Sequence, residues 1–151
     1  MTSCNPPKHT YRSDHNGSKA GVSSNILFLD YQLARDSTSS LYNAQLISMI
    51  IVEGSIKTIR QNAFQAEKND LELLVLDKNQ QVLTQLHIPN PLDKSVEYVN
   101  DAGQFERRLI HLDSTQFSIR LQVETEASSI MLKRFIGDNN EGILLLNTPV
   151  K

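Results

Sequence analysis

Residues 117–123 read FSIRLQV, in which apolar and polar side chains alternate without a break. A period of two puts successive side chains on opposite faces of an extended chain, so this stretch predicts a β-strand with one buried face. Residues 71–76 read LELLVL and predict a second strand that is covered on both faces. We therefore expect two sheets packed face to face, with one of these strands in each sheet.

Length and charge fit one ordinary globular domain. The chain has 151 residues, of which 39% are hydrophobic, and a formal net charge of -2 with scattered signs. Nucleic acid is not an expected partner, because phosphate binding needs a concentrated basic surface. The longest apolar run, at residues 46–52, is interrupted by Ser48. It falls far short of the roughly 20 residues of a membrane-spanning helix, so we expect no transmembrane segment.

Further short strands are separated by turn-forming residues. Residues 77–80 and 100–103 have the composition of hairpin turns, and the prolines at 89 and 91 must end a strand. The other candidate strands cover residues 25–34, 45–52, 55–61, 81–88, 96–99, 105–112, 129–136 and 142–147. Since no crossover helix lies between them, the pattern predicts an all-β fold, an antiparallel β-sandwich of about eight or nine strands.

The first residues differ in composition from the rest of the chain. Residues 5–24 combine Pro, Ser, Gly and Asn with almost nothing to bury. We expect residues 1–24 to form a disordered N-terminal tether with an rms reach of about 25 Å, and residues 25–151 to form the β-sandwich domain.

Thr2-Ser3-Cys4 resembles the end of a bacterial lipobox, in which small residues precede a cysteine that becomes lipid-modified. With the strand pattern of residues 25–148, the chain resembles small exported bacterial lipoproteins with an immunoglobulin-like or transthyretin-like sandwich. The resemblance implies a lipid anchor on Cys4 and a place in the periplasm or at the cell surface. The charged and apolar regions of a signal peptide are missing upstream. Either the sequence was trimmed there and given a start Met, or the match is coincidence.

Motifs of catalysis are absent from the sequence: it contains no GxSxG, HExxH, CxxC or GxGxxG. Of the four histidines, His9 and His15 fall in the tether, while His87 and His111 fall on separate strands. Carboxylates such as Glu67 and Asp70 fit a solvated surface. We expect no enzyme, no cofactor and no metal site.

Two functions stay open on these grounds. One is a non-catalytic binding or interaction module anchored at the cell envelope, with a protein partner there. The other is a structural or accessory subunit of an envelope complex that pairs through an exposed strand edge.

A candidate binding surface follows if the strand at residues 116–124 pairs antiparallel with those at 105–112 and 129–136. Three cations then become neighbours on the outer face, with three exposed apolar residues beside them: Arg107, Arg120 and Lys133, with Leu109, Met131 and Phe135. Such a surface suits an anionic ligand or an acidic protein. The alternative is a solvated face whose charges prevent edge aggregation.

Overall fold

The computed structural model of the protein describes residues 24–39, 41–56, 67–136 and 142–150. This part of the chain forms nine strands whose pairings are all antiparallel, which confirms the predicted all-β class. In chain order the strands are β1 (Ser24–Arg35), β2 (Tyr42–Glu53), β3 (Leu71–Leu76), β4 (Val82–Ile88), β5 (Asp93–Val99), β6 (Phe105–His111), β7 (Ser114–Glu124), β8 (Ser129–Phe135) and β9 (Gly142–Pro149).

Seven of the strands form the two layers of a sandwich. One sheet has the order β2-β1-β7 and the other has the order β4-β3-β8-β9. Their inner faces share a single core, to which Leu27 of the first sheet and Leu73 of the second both contribute. The aromatic ring of Tyr31 stacks on that of Phe117 with ring centroids 5.5 Å apart, and burial raises the pKa of Tyr31 to about 12.

The two stretches that predicted the sandwich lie in opposite sheets. Strand β7 contains residues 117–123, and its alternate side chains Ile119, Leu121 and Val123 are buried in the core. Strand β3 is LELLVL, and every residue in it is buried except the half-buried Glu72. The prediction that β3 is covered on both faces is confirmed.

An irregularity in β2 explains why its sequence alternates poorly. The register with β1 shifts between Asp30 and Tyr31, so Ile47 is an extra residue on β2. Such a bulge changes the phase of the strand, and Leu46 and Met49 both pack against the core although they are three residues apart.

The predicted strand at residues 55–61 is wrong at its start. Strand β2 ends at Glu53, and neither Ser55 nor Ile56 belongs to a strand. The backbone N–H of Ile56 instead donates to Oε1 of Gln122 at 2.9 Å. Residues 57–61 lie outside the described residues, as does the predicted tether up to residue 23, including Cys4.

The predicted partners of the strand at 116–124 are also wrong. Strand β7 pairs with β1, whereas β6 pairs with β5 and β8 pairs with β3 and β9. The turn after Glu124 carries the chain from one sheet to the other, so β7 and β8 lie in opposite sheets. The predicted binding surface is therefore not formed, because its three cations, Arg107, Arg120 and Lys133, lie in three different sheets.

The third sheet consists of β5 and β6 alone and lies at one end of the sandwich. Ser24 pairs with Glu124 at the opposite end. At the end from which β5 and β6 leave, the N–H of Arg35 donates to the carbonyl of Asp113 at 2.8 Å. No helix in the described segments is both long and apolar enough to cross a membrane.

Candidate functional site

The most exposed element is the β5–β6 ribbon, which we define as β5, β6 and the turn between them. Every residue of β6 is exposed, and so is every residue of β5 after Asp93. The turn follows the sequence prediction: Oδ1 of Asn100 accepts the backbone N–H groups of Ala102 and Gln104, and Gly103 has a φ of 77°. The hairpin register therefore fixes which side chains lie opposite one another.

Large apolar side chains cover much of this ribbon. Phe105 is 84% exposed, and Val99 and Leu109 are each 56% exposed. The others are Val96, Tyr98 and Ile110. An isolated two-stranded hairpin is only marginally stable in water, and exposed apolar groups of this kind mark contact surfaces. The ribbon thus has the features of an element that docks on another molecule.

Leu92 anchors the base of the ribbon to the core. Its side chain is fully buried, and its carbonyl accepts the N–H of Leu112 at 2.8 Å. Its own N–H donates to Oδ1 of Asn90 at 3.1 Å. The two ends of the ribbon are thereby held together where they meet the sandwich.

The buried side chains of Asp70 and Asn90 form a hydrogen-bonded network next to Leu92. Oδ1 of Asp70 accepts the backbone N–H of Asn90 at 3.0 Å, and Oδ2 accepts that of Glu67 at 2.8 Å. The amide of Asn90 donates to the hydroxyl of Tyr42 at 3.0 Å and to Oδ2 of Asp93 at 2.7 Å. The sequence interpretation of Asp70 as a solvated carboxylate is wrong, because this side chain satisfies buried backbone donors.

Opposite residues in an antiparallel pair share a face, so the register divides the ribbon into two faces. The Arg107 face consists of Asp93, Ser95, Glu97, Val99, Phe105, Arg107, Leu109 and His111. The Arg108 face consists of Lys94, Val96, Tyr98, Glu106, Arg108 and Ile110.

On the Arg107 face, an arginine and a histidine lie across from carboxylates. Arg107 is opposite Glu97, and its Nε donates to Oγ of Ser95. His111 is opposite Asp93, with Nδ1 and Oδ1 2.5 Å apart. With one arginine and two carboxylates, this face has no excess of cationic side chains.

On the Arg108 face, both cations lie across from apolar residues. Arg108 is opposite Val96, and Lys94 is opposite Ile110. The carboxylate on the Arg108 face is that of Glu106. It accepts hydrogen bonds from the Tyr98 hydroxyl and the Asn100 amide, each at 2.6 Å. These two donors hold the pKa of Glu106 below its ordinary value, and the same bond to Glu106 raises the pKa of Tyr98.

The residues of the predicted binding surface that lie outside the ribbon have other neighbours than predicted. Arg120 lies on the outer face of the first sheet, where its register partner on β1 is Phe28. Phe28 is 37% exposed, and its neighbour Ile50 on β2 is 54% exposed. Arg120 thus lies beside exposed apolar side chains, though not the predicted ones.

Lys133, Met131 and Phe135 are half-buried, so the predicted exposure of Met131 and Phe135 is wrong. Met131 lies between Leu74 on β3 and Asn147 on β9, which leaves it little open surface. Phe135 donates its N–H to the carbonyl of Asp70. Leu109 is exposed as predicted, on the ribbon rather than beside Lys133.

A cleft of about 540 Å³ opens between the edge strands β2 and β9. Tyr42 and Arg134 lie in its wall, with Cζ of Arg134 4.4 Å from the centroid of the Tyr42 ring. Since the Tyr42 hydroxyl also accepts the Asn90 amide, the cleft wall and the ribbon base share one side chain.

The two described histidines lie in different sheets. His87 is half-buried on β4, opposite Glu72, while His111 is on the ribbon. In the described residues, no group of three or more His, Cys, Asp or Glu side chains is placed to hold a metal ion.

No protein-family model, curated protein or solved structure matches this chain. The resemblance to exported lipoproteins with an immunoglobulin-like or transthyretin-like sandwich stays a prediction. The ribbon was not predicted as a projecting element, although the run Pro89-Asn90-Pro91 before it is a signal that the chain leaves the sheet there.

Proposed function

We propose that this protein is a non-catalytic interaction module of the bacterial cell envelope whose β5–β6 ribbon binds a protein partner. The observation that carries the proposal is the exposure of apolar side chains along a two-stranded element, led by Phe105 at 84%. A protein partner would bury this surface and stabilise a hairpin that is marginal alone.

The position of the ribbon fits a lipid anchor on Cys4, in the periplasm or at the cell surface. The described domain begins at Ser24, at the end of the sandwich opposite the ribbon. An anchor before Ser24 would attach at the end of the sandwich that does not carry the ribbon. A partner could then reach both of its faces.

A second candidate is a structural or accessory subunit that adds a strand from another chain to the ribbon. Among the described strands, β5 and β6 each have one hydrogen-bonded neighbour, so each presents an open edge. A stoichiometric complex that survives purification from the native envelope would favour this subunit role over reversible binding.

The proposed function is tested with the full-length gene in its source organism. A ribbon variant carries Val99→Ser, Phe105→Ser and Leu109→Ser, and a matched control carries Ile50→Ser, which changes an exposed residue on the sandwich. We expect the wild type and the control to migrate in a larger complex on native gels of mild detergent extracts, and the folded ribbon variant to migrate alone. Identical migration of all three proteins would contradict the proposal.

A further inference from the structure

We infer that the Arg108 face of the ribbon recognises an acidic protein segment. The inference rests on the proposed function and names the chemistry of the partner and the face that it contacts. The two faces of the ribbon differ in their numbers of cationic and anionic side chains.

The Arg108 face carries two cations, Lys94 and Arg108, and one carboxylate, Glu106. Glu106 already accepts hydrogen bonds from Tyr98 and Asn100. Neither Lys94 nor Arg108 forms a salt bridge with a carboxylate of the described residues.

A partner that covers the apolar residues of this face must also cover Arg108. Val96 lies directly across from Arg108, and Tyr98 and Ile110 are the next residues on the same face. A charge removed from water without a counter-charge is costly, so the partner has to supply a carboxylate at this place. Tyrosine and arginine are also the residue types that most often dominate binding energy at interfaces.

The Arg107 face has two carboxylates for one arginine, so a partner on this side need not add another carboxylate. Glu97 lies opposite Arg107, and Asp93 contacts His111. A partner with carboxylates on this side would meet Glu97 and Asp93 as like charges, which disfavours it. The preference for an acidic segment is therefore specific to one side of a thin element.

Site-specific photo-crosslinking in source cells that make the full chain tests which face of the ribbon the partner contacts. Benzoylphenylalanine replaces Val96 on the Arg108 face or Leu109 on the Arg107 face, and adducts formed under ultraviolet light are mapped by mass spectrometry. We expect the probe at position 96 to give a protein adduct whose crosslinked peptide contains Asp or Glu within a few residues of the crosslink.

Charge reversal on each face provides the matched control. With the probe at position 96, Arg108→Glu should lower the adduct yield by about tenfold or more, as expected for loss of a buried charge pair, and Arg107→Glu should lower it clearly less. An unchanged melting temperature shows that each variant is folded.

Adducts at position 109 alone would overturn this inference and leave the proposed function standing. Adducts at neither position would contradict both. A lipid adduct at position 96, a crosslinked peptide without carboxylates, or equal losses from the two reversals would also overturn the assignment to an acidic protein segment.

Discussion

Arg107 and Arg108 are neighbours on β6, and their side chains lie on opposite faces of the β5–β6 ribbon, across from Glu97 and Val96 respectively. Both are exposed, so they differ mainly in what lies opposite them. Because the two side chains are chemically identical, a difference between their variants reports which face is in contact. Variants of Arg107 and Arg108 therefore compare the two faces of the ribbon within one strand.

The titration of Glu106 tests the hydrogen bonding of the Arg108 face. Donors from Tyr98 and Asn100 lower the pKa of this carboxyl in the folded state. Its contribution to ribbon stability is therefore present above the pKa of the unfolded state and is lost as pH falls through the lowered folded-state pKa. Carboxyl carbon shifts measured by NMR should show a pKa below the ordinary value, and Tyr98→Phe should raise it. A normal pKa in the wild type would contradict the described contacts.

The anchor of the ribbon predicts a large difference between two leucines. Leu92 is fully buried, whereas Leu109 is 56% exposed. Leu92→Ala should lower the free energy of unfolding by about 2–5 kcal/mol, because it removes buried contacts and leaves a cavity. Leu109→Ala should stay within about 0.5 kcal/mol. Urea denaturation measures both values, and equal effects would show that Leu92 is not an anchor.

The core of the sandwich gives a similar pair on β7. Leu121 is 6% exposed and lies beside the fully buried Leu27, so Leu121→Ala should cost about 2–5 kcal/mol. Arg120→Ala, one residue away on the outer face, should stay within about 0.5 kcal/mol. Arg120 is a better control than Gln122, because the latter bonds to the backbone of Ile56. A helix-dominated circular dichroism spectrum would contradict the fold itself.

Local pattern was sufficient for most of the strands and for the core. The alternation in β7 predicts correctly that Leu121 faces inward, and the run in β3 predicts correctly that both of its faces are covered. These properties depend on side chains that are close in sequence, so periodicity reveals them.

Strand partners and the ribbon depended on contacts that are distant in sequence. The pairing of β7 with β1 joins residues about 90 positions apart, as in Asp30 with Ser118, and no local period encodes such a choice. The prediction that Arg107, Arg120 and Lys133 are neighbours was wrong for this reason. The ribbon was missed as a projection because short strands with apolar residues look alike in sequence whether they are buried or exposed.

Lipid on Cys4 is a separate prediction, since residue 4 lies outside the described residues. We expect the gene, expressed with its own upstream sequence in its source organism, to give a protein that incorporates a labelled fatty acid. Cys4→Ser should abolish the label, and Ser3→Ala should retain it as the matched control. Label that survives in the Cys4→Ser protein, or a mature protein that starts well before residue 4, would refute the anchor.

Backbone hydrogen exchange reports whether the ribbon is exposed in the free protein and covered in the complex. In the free protein, the amides that link β5 to β6 should exchange much faster than those that link β1 to β7, because the ribbon contacts the core mainly through its base. In the complex extracted from source cells, the ribbon amides should slow by about tenfold or more while the β1 amides stay unchanged. Ribbon amides that are already as protected as β1 in the free protein, or that exchange equally fast with and without the complex, would contradict a docking role for the ribbon.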